Sequence, residues 1–469
     1  MSRRNTPTSK AWEAIISKLI PSAPSIKSHN LTAPSSEAVK GAQPIGHNNP
    51  QKPPFGLATE RISGTSFTAP RHQNQQVWLY RITPSLTKTS DFEKLPADFT
   101  LQPESATVTD LTPNTYLWPK FGLKDGGDFI TGQHLLAESG EATLKTGCAY
   151  SVYSCTKDMP AQTAYFNSDG DDLIIPQAGT LNIQTELGRL LVRNNEICVL
   201  PRGIRYRVTL PDGHARGYIC TLFQGHFELP NLGAIGSTGL ANPRDFQIPK
   251  AWFDGHIEGT AAVPEVPGQK WDVLTRFNRK LWKATQDHTP FDVVAWNGTY
   301  YPYKYDLGRF SVLGSVLFDH PDPSLFTVLT APSYRIPGHA VVDFAIIPPR
   351  WAVMEDTYYL PYYHRNTQPE FAGIIIRDQE DPAESPWSRP GEFRPLGAML
   401  MNSMVTHGAT KEAHEAATER STEPEKIDDM PFYVFLLETE NMMRVTEFGR
   451  GLSVSMTKPG KAKGKVSKL

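Results

Sequence analysis

The chain has 469 residues, 47 Lys and Arg against 49 Asp and Glu, and 40 prolines. Its length favours two domains over one. The near-neutral balance argues against a nucleic-acid or membrane-surface binder, and no apolar run approaches the roughly 18–20 residues that span a bilayer. Proline at about one residue in twelve, above the usual ~5%, breaks helices and favours short strands joined by ordered turns.

Residues 1–34 read as an N-terminal extension: a basic start, one short amphipathic helix over Ala11–Ile20, then Pro, Ser and Asn. From Gly41 to Arg81 the sequence is turn-rich, yet Trp78, Leu79 and Tyr80 require burial, so ordered irregular structure is expected. Tyr150 to Val208 alternates β-branched and polar residues between turn signals (LIIPQAG, TLNIQTELG, RLLVRNNEICVLPRG, IRYRVTL), which predicts a half-buried antiparallel sheet. The turn in EICVLPRGIRY suits a cupin-type sandwich but carries no histidine where such a fold would place ligands, so this sheet reads as scaffold. The strand pattern returns over Arg309–Pro361, then in FAGIII and FYVFLLET, with one charged, alanine-rich helix expected over Ala409–Lys426. The four cysteines (Cys148, Cys155, Cys198, Cys220) show no CxxC spacing and read as buried reduced thiols.

Chemistry concentrates in YYHRNTQPEF. His364 and Glu370, six apart and flanked by Pro361 and Pro369, fall on a turn between strands. An imidazole and a carboxylate on the rim of a β-sandwich are two-thirds of the facial triad that holds Fe(II) with positions open for substrate and dioxygen. The same pair also reads as ordinary surface hydrogen-bonding residues. His320, in LFDHPDP, sits at a strand end. It reads either as a general base near neutral pH or as a turn histidine bonded to Asp319 or Asp322.

Eight ordered segments together resemble the homogentisate 1,2-dioxygenase family: GAQPIGHNNPQ, ISGTSFTAPRHQNQQVWLYRI, YFNSDGDDLIIPQAGTLNIQTELG, NEICVLPRGIRY, HFELPNLGAIGSTGLANPRDFQIP, PFDVVAWNGTYYPYKYDL, DFAIIPPRWAV and YYHRNTQPEF. The resemblance runs from about Ser35 to Gly449. It implies a mainly β fold: an N-terminal β-sandwich domain over residues 35–307 and a C-terminal cupin-like, jelly-roll domain over 308–450 carrying non-haem Fe(II). It also implies a homo-oligomer, a trimer or a hexamer built from trimers, and a small aromatic acid plus O2 as substrates. The implied reaction converts homogentisate to maleylacetoacetate in tyrosine and phenylalanine breakdown. His364 and Glu370 match two of three iron ligands, and His320 matches the acid–base partner of the ring hydroxyl.

Departures fall around the site. Counting back from the pair His407-Gly408 puts the family's third ligand on Met401, a thioether, with Asn402 beside it, so no third ligand is matched. His407 itself could serve only if its loop shifted. The family's Arg-Gly-His-Tyr run, whose tyrosine helps hold the substrate carboxylate, is Arg377-Asp378-Gln379-Glu380 here. Glu380 there would repel that carboxylate. These changes leave a second reading, a catalytically silent or re-purposed paralogue, including a cupin enzyme doing non-oxidative chemistry. The lysine-rich tail over 451–469 is expected to be disordered. It ends in Ser467-Lys468-Leu469, a peroxisomal address read by the import receptor, with the cytoplasm as the alternative location.

Overall fold

The computed structural model describes residues 36–44, 52–96, 99, 111–119, 121, 126–231, 233, 239–257, 269–312, 322–352, 362–376, 397–409, 411–427 and 432–454. The expected N-terminal extension and the tail beyond Val454 lie outside them. The architecture is mainly β, as expected, and three sheets are stacked face to face.

The outer sheet of the N-terminal half runs, in spatial order, Gly188–Val192, Leu181–Thr185, Tyr206–Thr209, Thr163–Asn167, Trp271–Phe277, Lys280–Gln286 and Glu93–Lys94. The middle sheet runs Tyr303–Asp306, Glu196–Leu200, Asp171–Ala178, Ala215–Leu222, Cys148–Cys155, Gln133–Glu138 and Arg444–Val445. Between them lies a core that includes Tyr153, Ile174, Ile183, Cys198, Tyr206 and Ile219. All four cysteines are free and buried.

The outer strands keep the expected alternation of buried and more exposed residues, but Glu196–Leu200 is buried throughout and Asp171–Ala178 nearly so. Those two strands belong to the middle sheet, whose second face is covered by the third. A sheet buried on both faces loses the polar half of its period, so the half-buried expectation holds only for the outer layer. Tight turns position these strands. At Gly188 (φ +129°) a Cβ would lie 1.9 Å from the Lys250 carbonyl oxygen, so only glycine closes that hairpin.

The third sheet runs Thr327–Pro332, Ala340–Ile347, Phe432–Thr439, Glu370–Ile376, Ala398–Met401 and Tyr116–Trp118. Its inner face packs on the middle sheet: the Phe371 and Tyr150 rings are 4.8 Å apart, those of Phe435 and Tyr218 4.9 Å. One continuous core contains residues of both halves.

The halves also exchange strands. Tyr116–Trp118, from the N-terminal half, is the edge of the third sheet, while Arg444–Val445 is the edge of the middle sheet. Trp118 donates its indole N–H to the Gly449 carbonyl at 2.6 Å, and the Thr446 hydroxyl donates to the Leu135 carbonyl at 2.8 Å.

The helix expected over 409–426 is shorter, Lys411–Glu419, and Glu425–Ile427 is instead a strand paired with Arg350–Ala352. Pro424 explains the difference: it lacks the N–H a helix needs and forces Glu423 toward extended backbone. A second short helix, Glu447–Leu452, is capped by the Thr446 side chain.

Candidate metal centre

Residue pairing across the third sheet builds the site. Glu370 lies opposite Met401 on one side and Glu438 on the other, and Glu438 lies opposite Asp343. Directly paired residues share a face, so this row points away from the core, while the neighbouring row of Phe371, Leu437 and Phe344 enters it. The sequence Glu-Phe therefore sends the carboxylate to the outer face and the ring inward.

His364 precedes this strand and His407 follows the Ala398–Met401 strand. They form an antiparallel bridge in which each backbone N–H donates to the other's carbonyl at 3.1 Å. After Met401 the chain reverses through Asn402–Val405, with Val405 N–H donating to the Asn402 carbonyl at 3.1 Å and Met404 N–H to the Asn366 carbonyl at 2.7 Å. The Asn402 side chain pins this turn, donating to the Met443 carbonyl at 3.3 Å and accepting from the Met443 N–H at 2.9 Å. That reversal brings His407 level with His364.

His407 Nε2 lies 3.2 Å and His364 Nε2 4.0 Å from the same oxygen, Glu370 Oε2. The two rings are 4.2 Å apart, and one donor atom from each of the three residues falls within 4.8 Å of the others. Each Nδ1 faces a backbone carbonyl two residues back: Tyr362 at 2.8 Å for His364, Val405 at 2.9 Å for His407. Donating Nδ1–H there leaves both Nε2 lone pairs for a metal, the orienting arrangement usual for ligating histidines.

Burial pushes the Glu370 carboxyl up, but the facing His364 imidazole and the hydrogen bond from His407 overcome it and hold the group at about 2. The Glu370 carboxylate facing it raises His364 against the opposing effect of burial. Burial pulls His407 down, yet Glu370 and the Val405 carbonyl raise it on balance. Glu438 behaves in the opposite sense: burial, then the Glu370 and Asp343 charges, push it up to about 7. Asp343 is likewise raised by burial. An ionised carboxylate, two imidazoles with fixed tautomers and a buried floor fit a divalent transition metal better than a bare ion pair.

The sequence reading left the third position unmatched at Met401 and Asn402; the structure sets His407 beside His364 and Glu370. Met401, where counting placed the third site, is 3% exposed and pairs across the sheet with Glu370, and Asn402 is spent on Met443. His407 reaches His364 and Glu370 with no loop shift, because the turn returns the chain six residues beyond the strand end. The usable signal was the His407-Gly408 pair itself. Glu438 and Asp343 went unnoticed in the sequence; the alternation in FYVFLLET placed Glu438 opposite Leu437, but nothing there revealed its cross-strand neighbours. His320, Gln379 and Glu380 lie outside the described residues.

Comparison with known proteins finds relatives of both halves of the chain. Residues 30–307 match the family model described as homogentisate 1,2-dioxygenase N-terminal, and residues 308–459 the one described as homogentisate 1,2-dioxygenase C-terminal. The chain is 50% identical over 414 residues to homogentisate 1,2-dioxygenase of Emericella nidulans, covering 88% of each chain. It is 43% identical to the Dictyostelium discoideum enzyme of that name, over 88% of this chain and 91% of that one. With the Homo sapiens enzyme the identity is 42%, over 87% and 88%. A cupin 2 conserved barrel domain protein from Leptotrichia buccalis is similar only distantly, at 8% identity and a TM-score of 0.27 over 66% of this chain and 88% of that one. With both family models and relatives of this identity spanning nearly the whole sequence, the chain belongs to the homogentisate 1,2-dioxygenase family.

Proposed function

We propose that the protein is a non-haem Fe(II) ring-cleaving dioxygenase that opens homogentisate, or a close aromatic acid, with O2 to a maleylacetoacetate-type product in tyrosine and phenylalanine breakdown. The observation that carries this reading is the convergence of His364, Glu370 and His407 on one point. Two imidazoles and one carboxylate are the donor set of ferrous oxygenases. Ferrous iron bound there would supply the redox link between an electron-rich phenolate ring and dioxygen.

The chain's own residues would do the rest. His364 and His407, each fixed through Nδ1, keep Nε2 directed at the centre, and Glu370 stays ionised at working pH. Glu438 and Asp343 stand behind it on the same face. In this proposal His320 accepts the proton of the ring hydroxyl as the ring is opened, and Gln379 and Glu380 stand at the sequence positions of the family's substrate-carboxylate clamp. Both oxygen atoms of O2 enter the product, so no external reductant is needed. We further propose assembly as a homo-oligomer and a peroxisomal location; a fluorescent fusion lacking Ser467-Lys468-Leu469 should lose its punctate distribution.

The test is homogentisate-dependent oxygen uptake by protein loaded anaerobically with Fe(II). Uptake well above His364→Ala and His407→Ala controls is expected. Absence of uptake from folded, metal-loaded protein would exclude homogentisate and turn the question to other aromatic acids or to a silent paralogue.

A further inference from the structure

Tyr363 precedes one histidine of the centre and Gly408 follows the other, so the His364–His407 bridge is framed by this pair. The two residues touch. A Cβ built on Gly408 would lie 2.8 Å from Tyr363 Cδ1, 3.3 Å from its Cα and 3.4 Å from Cε1, and Gly408 has φ +151°. The tyrosine ring therefore occupies the space that any other residue at 408 would need. Tyr363 also lies against His414, centroids 5.4 Å apart at 31°, on the Lys411–Glu419 helix.

Half of Tyr363 is nevertheless exposed. An aromatic side chain that open to water is not held by burial alone; among the described residues it packs on Gly408 and His414. Together these contacts join the two histidine-bearing segments to the helix that follows.

We propose that Tyr363 and Gly408 are positioning residues for the metal centre: the ring wedged on the bare glycine holds the His364–His407 bridge in the register that converges both Nε2 atoms on Glu370. The proposal rests on the metal-centre reading above. A side chain at 408 must push the ring or the Tyr363 backbone aside. The bridge bonds would then open, and the 3.2 Å approach of His407 to Glu370 would lengthen. The tyrosine hydroxyl has no part in this argument; the ring does.

Anaerobic titration of the full chain with Co(II), whose visible bands report on bound nitrogen and carboxylate donors, tests it. Wild type and Tyr363→Phe should bind alike. Gly408→Ala should bind about 10- to 100-fold more weakly, the loss typical when groups supporting metal ligands are disturbed. Tyr363→Ala should weaken binding less, and adding Tyr363→Ala to Gly408→Ala should recover part of the loss, because the clashing ring is gone. Wild-type affinity and spectrum in Gly408→Ala would overturn the proposal. So would a double variant no better than Gly408→Ala, since backbone strain at 408 would then be the whole effect. If Gly408→Ala does not fold, equal binding by Tyr363→Phe and Tyr363→Ala overturns it instead. Failure of wild type itself to bind Co(II) would remove the metal-centre reading and the proposal with it, an outcome separate from the variant pattern.

Discussion

At the scale of single residues, the chemistry of the site depends on which nitrogen of each histidine carries a proton. Both Nδ1 atoms are occupied by backbone carbonyls, so a second proton must sit on Nε2, facing Glu370. Both histidines titrate above their ordinary value of 6.5 while Glu370 remains ionised down to about 2. A metal has to displace those Nε2 protons. Fe(II) or Co(II) affinity should therefore fall with decreasing pH, the fall beginning above pH 6.5, and binding in weak buffer should release protons measurable by calorimetry in two buffers of different ionisation heat. Affinity independent of pH between 6 and 8 would contradict this assignment of protons. Met401→Leu should retain metal and His407→Ala should lose it; the reverse would restore Met401 as the third position.

Glu438 offers a second test at this scale. Its folded-state value is raised from 4.5 to about 7, so in the metal-free protein it destabilises the fold progressively as pH rises from 4.5 to 7. Glu438→Gln should consequently match wild type in urea unfolding near pH 4.5 and exceed it by about 1–3 kcal/mol at pH 8. A variant less stable than wild type at pH 8 would mean that the carboxylate is stabilised there.

At the scale of elements, Tyr116–Trp118 carries more than its three residues suggest. Trp118 is 1% exposed, stacks against Tyr116 and Phe121 and donates to Gly449. Trp118→Ala should lower stability by about 3–5 kcal/mol, the usual cost of removing a buried large aromatic, as read by chemical denaturation. A loss under about 1 kcal/mol would mean that the strand is dispensable. Much of this level was legible in the sequence. The alternation over Leu173–Leu210 marked the strands, and Pro361 and Pro369 marked His364 and Glu370 as lying outside any helix. What stayed hidden was pairing. Nothing local in TYLW says that it belongs beside Ala398–Met401, since strand partners are set by tertiary contact rather than by period. The nearness of His407 to His364 was hidden for the same reason: counting residues along the chain cannot see the reversal at Asn402–Val405, which is what returns His407 to His364.

At the scale of the molecule, packing crosses the boundary between the two family models at residues 307 and 308. One core runs through both halves, and the middle and third sheets each borrow an edge from the other half. Calorimetry of the full chain should give a single transition, and residues 308–459 expressed alone should lack a cooperative one. Two well-separated transitions, or a stable isolated C-terminal piece, would show that the exchange is ornamental.

The Arg444–Val445 strand also sets a schedule for synthesis. The middle sheet cannot close its Gln133–Glu138 edge until residues 444–445 have left the ribosome, more than three hundred residues later. Until then that edge presents unpaired backbone groups to any neighbouring chain. With translation at roughly 5–20 residues per second, the nascent protein carries an open strand for tens of seconds. Slowed elongation late in the message would lengthen that exposure without altering a single residue of the finished enzyme.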